Sequence, residues 1–202
     1  MRLSPPLTVI GVVGMTLAIT ATLHGKETHS RQDMGCLVAL AVLDREITEI
    51  LANDSKRKFA VSNEPDDSTF GLVLLQKLAW SADRNANVQQ NVELYHDLIK
   101  SGRTSPVESC ANIRAYLEAK KIPYGAAAVD HAIPGGMAEY SEKPFPSAII
   151  MISQPAISQD LRKAVVTIGV QYAPLAGSGK LVEVDMQGQS IKVTKEFGTW
   201  VS

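Results

Sequence analysis

Apolar residues recur at three- and four-residue steps from Cys36 through Leu40, Leu43, Ile47 and Ile50, the spacing of one buried helical face. Asp33 stands ready to cap that helix, and Asp44, Arg45, Glu46 and Glu49 fill the opposite side, so a helix is expected over 33–52. A short strand is expected around Phe59 and Val61. A second helix is expected over 69–80 and a third over 88–100, the latter with Val88, Val92, Tyr95 and Ile99 as its stripe. Ser105-Pro106-Val107-Glu108 has the form of a capping box with proline in the first turn, and predicts a helix running through Cys110, Ile113 and Leu117 to Lys121. Residues 123–146 carry Gly125, Pro134-Gly135-Gly136, Pro144 and Pro146 and read as one long irregular loop.

Beyond residue 147 the period changes from helical to twofold. Residues 148–153 form an apolar run. Residues 163–172 alternate, with Ala164, Val166, Ile168, Val170 and Tyr172 on one side. Residues 180–186 alternate again, and 191–201 make a last strand in which Gly198 marks a bulge. Gly-rich turns are expected at 174–179 and 187–189. The class expected is therefore α+β: N-terminal helices packed on one face of a C-terminal four-stranded antiparallel sheet.

The first 25 residues stand apart. Arg2 gives a positive start, and Leu7 to Leu23 then runs without a charge before His24-Gly25-Lys26-Glu27 ends it. Such a run covers roughly 25 Å as a helix, just under a bilayer core. It reads as a signal peptide, or else as an uncut N-terminal anchor; both send residues 26–202, a single α+β domain, out of the cytoplasm to a periplasmic or secreted address. Cys36 lies too far past the apolar run, behind charged residues, to be a lipidation site. In an oxidising compartment Cys36 and Cys110 are expected to bridge, the alternative being two buried free thiols.

Composition narrows the function. Apolar residues make up 45% of the chain and charged residues 20%, which excludes wholesale disorder. The net charge is −1, and loss of Arg2 with the first 25 residues makes it −2, so there is no basic footprint for nucleic acid. The chemistry-bearing groups are sparse. Asp130-His131, with Glu139 and Tyr140 nearby, is the best acid/base cluster, weighed against a solvated loop pair. Glu93-x-x-His96 shares a helical face but supplies too few ligands for a metal. Gly177-Ser178-Gly179-Lys180 resembles a phosphate loop, yet Pro174 and Leu181 stand where that motif needs Gly and Ser or Thr; a hairpin turn is expected instead. No nucleophile motif is present, and Phe197 and Trp200 read as core residues. The expected function is a non-enzymatic binding domain for a small molecule or an envelope protein, without metal or cofactor. The alternative is a small hydrolase-like enzyme using Asp130 and His131.

The C-terminal third carries one further pattern: an extended entry at Ser153 and Ile157, the strand Ala-Val-Val-Thr-Ile-Gly-Val-Gln-Tyr, a Leu-x-Gly-x-Gly turn (Leu175, Gly177, Gly179), and a terminal Gly-x-Trp-x-Ser (Gly198, Trp200, Ser202). In this it resembles a group of functionally uncharacterised exported bacterial proteins. The resemblance implies a fold and an extracytoplasmic address, and no activity. It departs from the group where two cysteines flank the Leu of the turn, since Ala173 and Ala176 stand nearby here, and where a tryptophan precedes the last strand, since Ile191-Lys192-Val193 stands there.

Overall fold

In a computed structural model, residues 30–65, 89–133, 144–174, 176–188 and 190–201 are described. The expected signal segment, the expected helix over 69–80, and Glu139 and Tyr140 lie outside them. The described residues form helices α1 (Arg31–Asn53), α2 (Gln89–Ser101), α3 (Pro106–Ser109), α4 (Ala111–Lys120) and α5 (Ala126–Ala132). The strands are β1 (Phe59–Val61), β2 (Ala148–Ile152), β3 (Ala156–Ile157), β4 (Lys163–Ala173), β5 (Ala176–Gln187) and β6 (Ser190–Val201). None of the described helices is long and apolar enough to cross a membrane.

The α+β class holds, but the sheet has six strands rather than four, in the order β1-β2-β4-β5-β6, with β3 pairing β4 beside β2. It is also mixed: β1 runs parallel to β2, Phe59 opposite Ala148 and Val61 opposite Ile150, while the other pairings are antiparallel. The two extra strands are short and all their residues are buried, so they lack the alternation that marks a half-exposed strand. The outer side of β1 is closed by Val61 N donating to Pro123 O and Gly125 N donating to Val61 O. β6 is the other edge. It breaks register with β5 twice, at the Gly179/Lys180 and Glu183/Val184 steps, and the first break brackets Thr199, next to the Gly198 position expected from sequence. Bulges of this kind twist an edge away from further pairing.

Helices cover both faces of the sheet rather than one. On the first face α1 and the α3–α4 pair lie over Val61, Ile150, Ile152, Val166, Ile168 and Val182. On the second, α2 packs Leu94, Tyr95 and Leu98 against Ala156, Val165 and Leu181, and α5 packs Ala132 with Ile133 against Ala60 and Ile149. In β2, β4 and β5 the second-face residues fall at odd positions while the even positions face α1; β2 and the middle of β4 are therefore apolar on both sides, whereas β5 keeps Glu183 and Asp185 at its odd positions.

Local chemistry sets the element ends. α1 begins at a capping box one turn ahead of the expected helix: Asp33 N donates to Ser30 Oγ and Ser30 N donates back to Asp33 Oδ2, each at 3.1 Å. The expected helix from Ser105 breaks in two. Cys110 has extended backbone angles (φ −106°, ψ 105°) and serves both as the last cap of α3 and the first of α4. Ser105 Oγ accepts from Val107 N at 3.3 Å, while Glu108 accepts from Asn63 Nδ2 at 2.8 Å instead of closing the box. The break turns Cys110 toward α1, where it is bonded to Cys36 with Cα atoms 5.5 Å apart. The stripe of α2 is centred on Leu94, Tyr95 and Leu98, with Val92 and Ile99 only half-buried. Within the expected irregular loop, α5 starts after Gly125, whose φ of +87° no side-chain-bearing residue takes easily. The expected turn over 174–179 is mostly strand: Ala173 pairs with Ala176, and Gly177 to Lys180 are paired with Gln171 to Ile168 along β4.

Candidate functional site

Asp130 and His131 sit near the end of α5, both exposed, and neither side chain makes a hydrogen bond or ion pair with another described residue. Asp130 lines a groove of about 260 Å³ with Ser62, Asn63, Glu64, Ala126 and Val129, and His131 is not among its walls. The expected acid/base pair is thus two neighbouring surface groups, and among the described residues nothing orients the imidazole. Glu93 and His96 are exposed on α2; Glu93 lines a second groove with Arg31, Asp97 and Arg162. Among the described residues no three His, Cys, Asp or Glu side chains gather as metal ligands.

The most organised polar site lies on the first face, where the C-terminal half of α1 crosses β4 and β5. Lys180 Nζ donates to Glu46 Oε2 at 2.8 Å and to Glu49 Oε2 at 3.2 Å. Arg45 extends the chain of ion pairs, with Nε 2.8 Å from Glu49 Oε1 and Nη2 3.0 Å from Glu196 Oε1. The helical pattern puts Glu46 on the solvent side of α1. It is buried instead, because its carboxylate meets a lysine 134 residues away in the chain. Burial alone would raise the pKa of Glu49, but hydrogen bonds from Arg45 and Lys180 outweigh it and hold the carboxyl below its usual range. Lys180 shows the mirror case: burial works to lower its pKa, and Glu46 with Glu49 raise it overall. Both ends of the pair therefore stay charged at neutral pH.

Glu46, Glu49 and Lys180 form one wall of a cleft of about 390 Å³ that also includes Asp54, Arg57, Tyr172 and Ser178. The Arg57 guanidinium carbon lies 5.1 Å from the centroid of the Tyr172 ring, a cation–π stack. Burial, with the Glu46 charge second, raises the pKa of Tyr172. Arg57 Nε and Nη2 are buried and have no hydrogen-bond partner among the described residues. Two buried donors left unpaired cost about 1–3 kcal/mol each, a penalty that a packed surface arginine avoids by turning to water.

A second polar contact joins the layers on the other face. Tyr95 Oη donates to Glu183 Oε1 in a buried site, and Lys195 Nζ stands 3.8 Å from Glu183 Oε2. Burial, then the hydrogen bond to Glu183, pushes the Tyr95 phenol far above its ordinary value. Tyr95 thus serves as a proton donor that anchors α2 to β5.

Sequence reasoning missed the α1–β5 cleft. Glu46 and Glu49 share a helical face, which reads as solvated charge. Arg57 lies in a polar linker, and Lys180 opens an expected strand at the edge of a glycine-rich turn. Only the strand period around Val182 and Val184, continued back by one step, would have put Lys180 on the face that meets α1. A scan of protein-family models and searches of curated proteins and of solved structures found no match to the chain.

Proposed function

We propose that the chain is an exported, non-enzymatic domain that binds a small polar ligand outside the cytoplasm, in the extracytoplasmic group its C-terminal third resembles. The observation that carries the address is the Cys36–Cys110 bridge between α1 and the α3–α4 elbow, since such bonds persist in oxidising compartments. The apolar run Leu7–Leu23 supports it as a signal or an anchor. Binding is favoured over catalysis by where the polar order lies. The groups held in defined geometry are the ion pairs of the α1–β5 cleft, which fix a charged frame around an open volume, whereas Asp130 and His131 have no orienting partner among the described residues.

The test is direct. The full chain is expressed with a C-terminal tag in a bacterial host, fractionated, and treated with a thiol-alkylating reagent before and after reduction. The tag is expected in the envelope or external fraction, with both thiols blocked until reduction. Recovery from the cytosol with residues 1–25 attached and both thiols reactive sinks the proposal. The hydrolase-like alternative is favoured by one observation, that Asp130 lines the groove beside Ser62 and Asn63. It requires that His131→Ala abolish turnover of an ester or glycoside panel, while the binding reading expects no loss of ligand affinity from that change.

A further inference from the structure

We infer that the groove at β3, between the start of α1 and α2, is a site for a short zwitterionic peptide, whose ammonium end meets Glu93 and Asp97 and whose carboxylate end meets Arg31 and Arg162. The inference rests on the reading of the chain as a binder of small polar ligands, and it adds a groove distinct from the α1–β5 cleft.

The groove holds about 370 Å³, within the roughly 300–1,000 Å³ of small-molecule sites. α2 lines it with Glu93 and Asp97, which are four residues apart and so share one side of the helix. The basic groups come from elsewhere: Arg31 from the start of α1, and Arg162 with Lys163 from the entry to β4. Leu94 and Ile157 supply its apolar lining. Arg31, Glu93, Asp97 and Arg162 are all exposed, so a ligand in the groove can reach them. None of their side chains makes a hydrogen bond or ion pair with another described residue. This is the reverse of the α1–β5 cleft, where Lys180 already bonds Glu46 and Glu49.

Charge sets the class of ligand. Arg31, Arg162 and Lys163 stand against Glu93, Asp97 and Asp160, so the groove has no net charge. The Asp160 carboxylate is taken up by its own turn, accepting from Ser158 Oγ at 2.7 Å and Arg162 N at 3.1 Å. A phosphate or a polyamine would satisfy one set of charges and be repelled by the other. A molecule with an ammonium group at one end and a carboxylate at the other satisfies both, and a guanidinium meets a carboxylate with two parallel N–H groups.

Backbone geometry favours a peptide between those ends. Ser158 N donates to Lys163 O, so the alternation of an antiparallel pair turns the N–H and C=O of Ile157 away from β4. Among the described residues β3 pairs with no strand but β4. An extended peptide can add along such an edge through its own amide groups.

The experiment follows the Leu94 and Ile157 amide resonances by NMR in the purified, oxidised, ¹⁵N-labelled protein at pH 6.5. The titrants are trialanine, N-acetyl-trialanine, trialanine amide and inorganic phosphate. Trialanine is expected to move both resonances saturably and to bind at least several-fold tighter than either blocked form, with phosphate weakest. Glu93→Gln with Asp97→Asn is expected to erase the preference over the acetylated peptide while keeping the preference over the amide. Arg31→Gln with Arg162→Gln is expected to do the opposite. These four side chains are exposed, so the substitutions leave the core untouched. The inference is overturned if trialanine does not shift the two resonances saturably, if a blocked form or phosphate binds as tightly, or if either double variant keeps both preferences. A negative titration of a protein that is exported and oxidised overturns this groove alone, whereas a cytosolic, reduced chain overturns the address whatever the titration shows.

Discussion

Reducing the Cys36–Cys110 bond should destabilise the protein by several kcal/mol. The two cysteines are 74 positions apart, so the bond closes a long loop in the unfolded chain. In the chain-entropy description a loop of that length removes about 15 cal/mol/K from the denatured ensemble, or about 4.5 kcal/mol at 25 °C. For a chain of this size each kcal/mol moves the midpoint by roughly 2–4 °C, so reduction should lower Tm by roughly 9–18 °C. The folded contacts change little, since Cys110 is 1% exposed and keeps its apolar neighbours as a thiol. Urea unfolding of the oxidised and phosphine-reduced chain at one pH checks this without altering any side chain. The reduced form should also show a larger m-value, because its unfolded state is more expanded. A stability difference under about 1 kcal/mol with equal m-values would falsify the reasoning, since the loop would then be constrained in the unfolded state by something else.

Tyr95→Phe leaves the buried Glu183 carboxylate without its phenol donor and should cost about 1–3 kcal/mol by chemical denaturation. The Tyr95 pKa is raised on folding, so its contribution is present in full below the ordinary tyrosine value of 10 and fades as pH climbs above it; the gap between wild type and variant should shrink in alkaline urea titrations. Lys180→Met strips Glu46 of its partner, and because Lys180 is 27% and Glu46 12% exposed, the loss should be about 1–2 kcal/mol after allowance for solvent. Glu49 is depressed from 4.5 and Lys180 raised from 10.5, so the gap to wild type should be widest between about pH 5 and pH 10 and narrow on either side, as read by thermal melts across pH. Ser30→Ala opens the capping box of α1 and should cost about 1 kcal/mol, visible as a lower urea midpoint with unchanged m.

The sequence made the long antiparallel strands and α1 legible because each presents a strong period, twofold along Ala164 to Tyr172 and helical along Leu43 to Ile50. The short strand at Phe59–Val61 was legible but its parallel pairing with β2 was not, and Ala156–Ile157 escaped as a strand, since it is buried throughout and has no polar side to alternate with. The split at Cys110 escaped for another reason. Ser105-Pro106-Val107-Glu108 favours a continuous helix locally, and the break depends on Asn63 drawing off Glu108 and on the bond to Cys36, both remote in the chain. The bridge itself was readable as a pairing of the two cysteines. The α1–β5 cleft was not, because a helical carboxylate and a strand lysine 134 positions apart carry no mutual signal until the sheet places them together.

The pairing of β1 with β2 has a consequence for the order in which the molecule can assemble. A polypeptide delivered amino end first brings out α1, β1 and both cysteines before Ala148 follows. Throughout that interval the apolar side of α1, from Met34 to Ile50, has no strands of β2, β4 or β5 to rest on. The sulfur bridge needs only two helices and can form early, tethering the first half while the sheet is still being threaded. A chain built this way completes itself from its tail, and any truncation that removes the last three strands leaves a tied but coreless amino-terminal half.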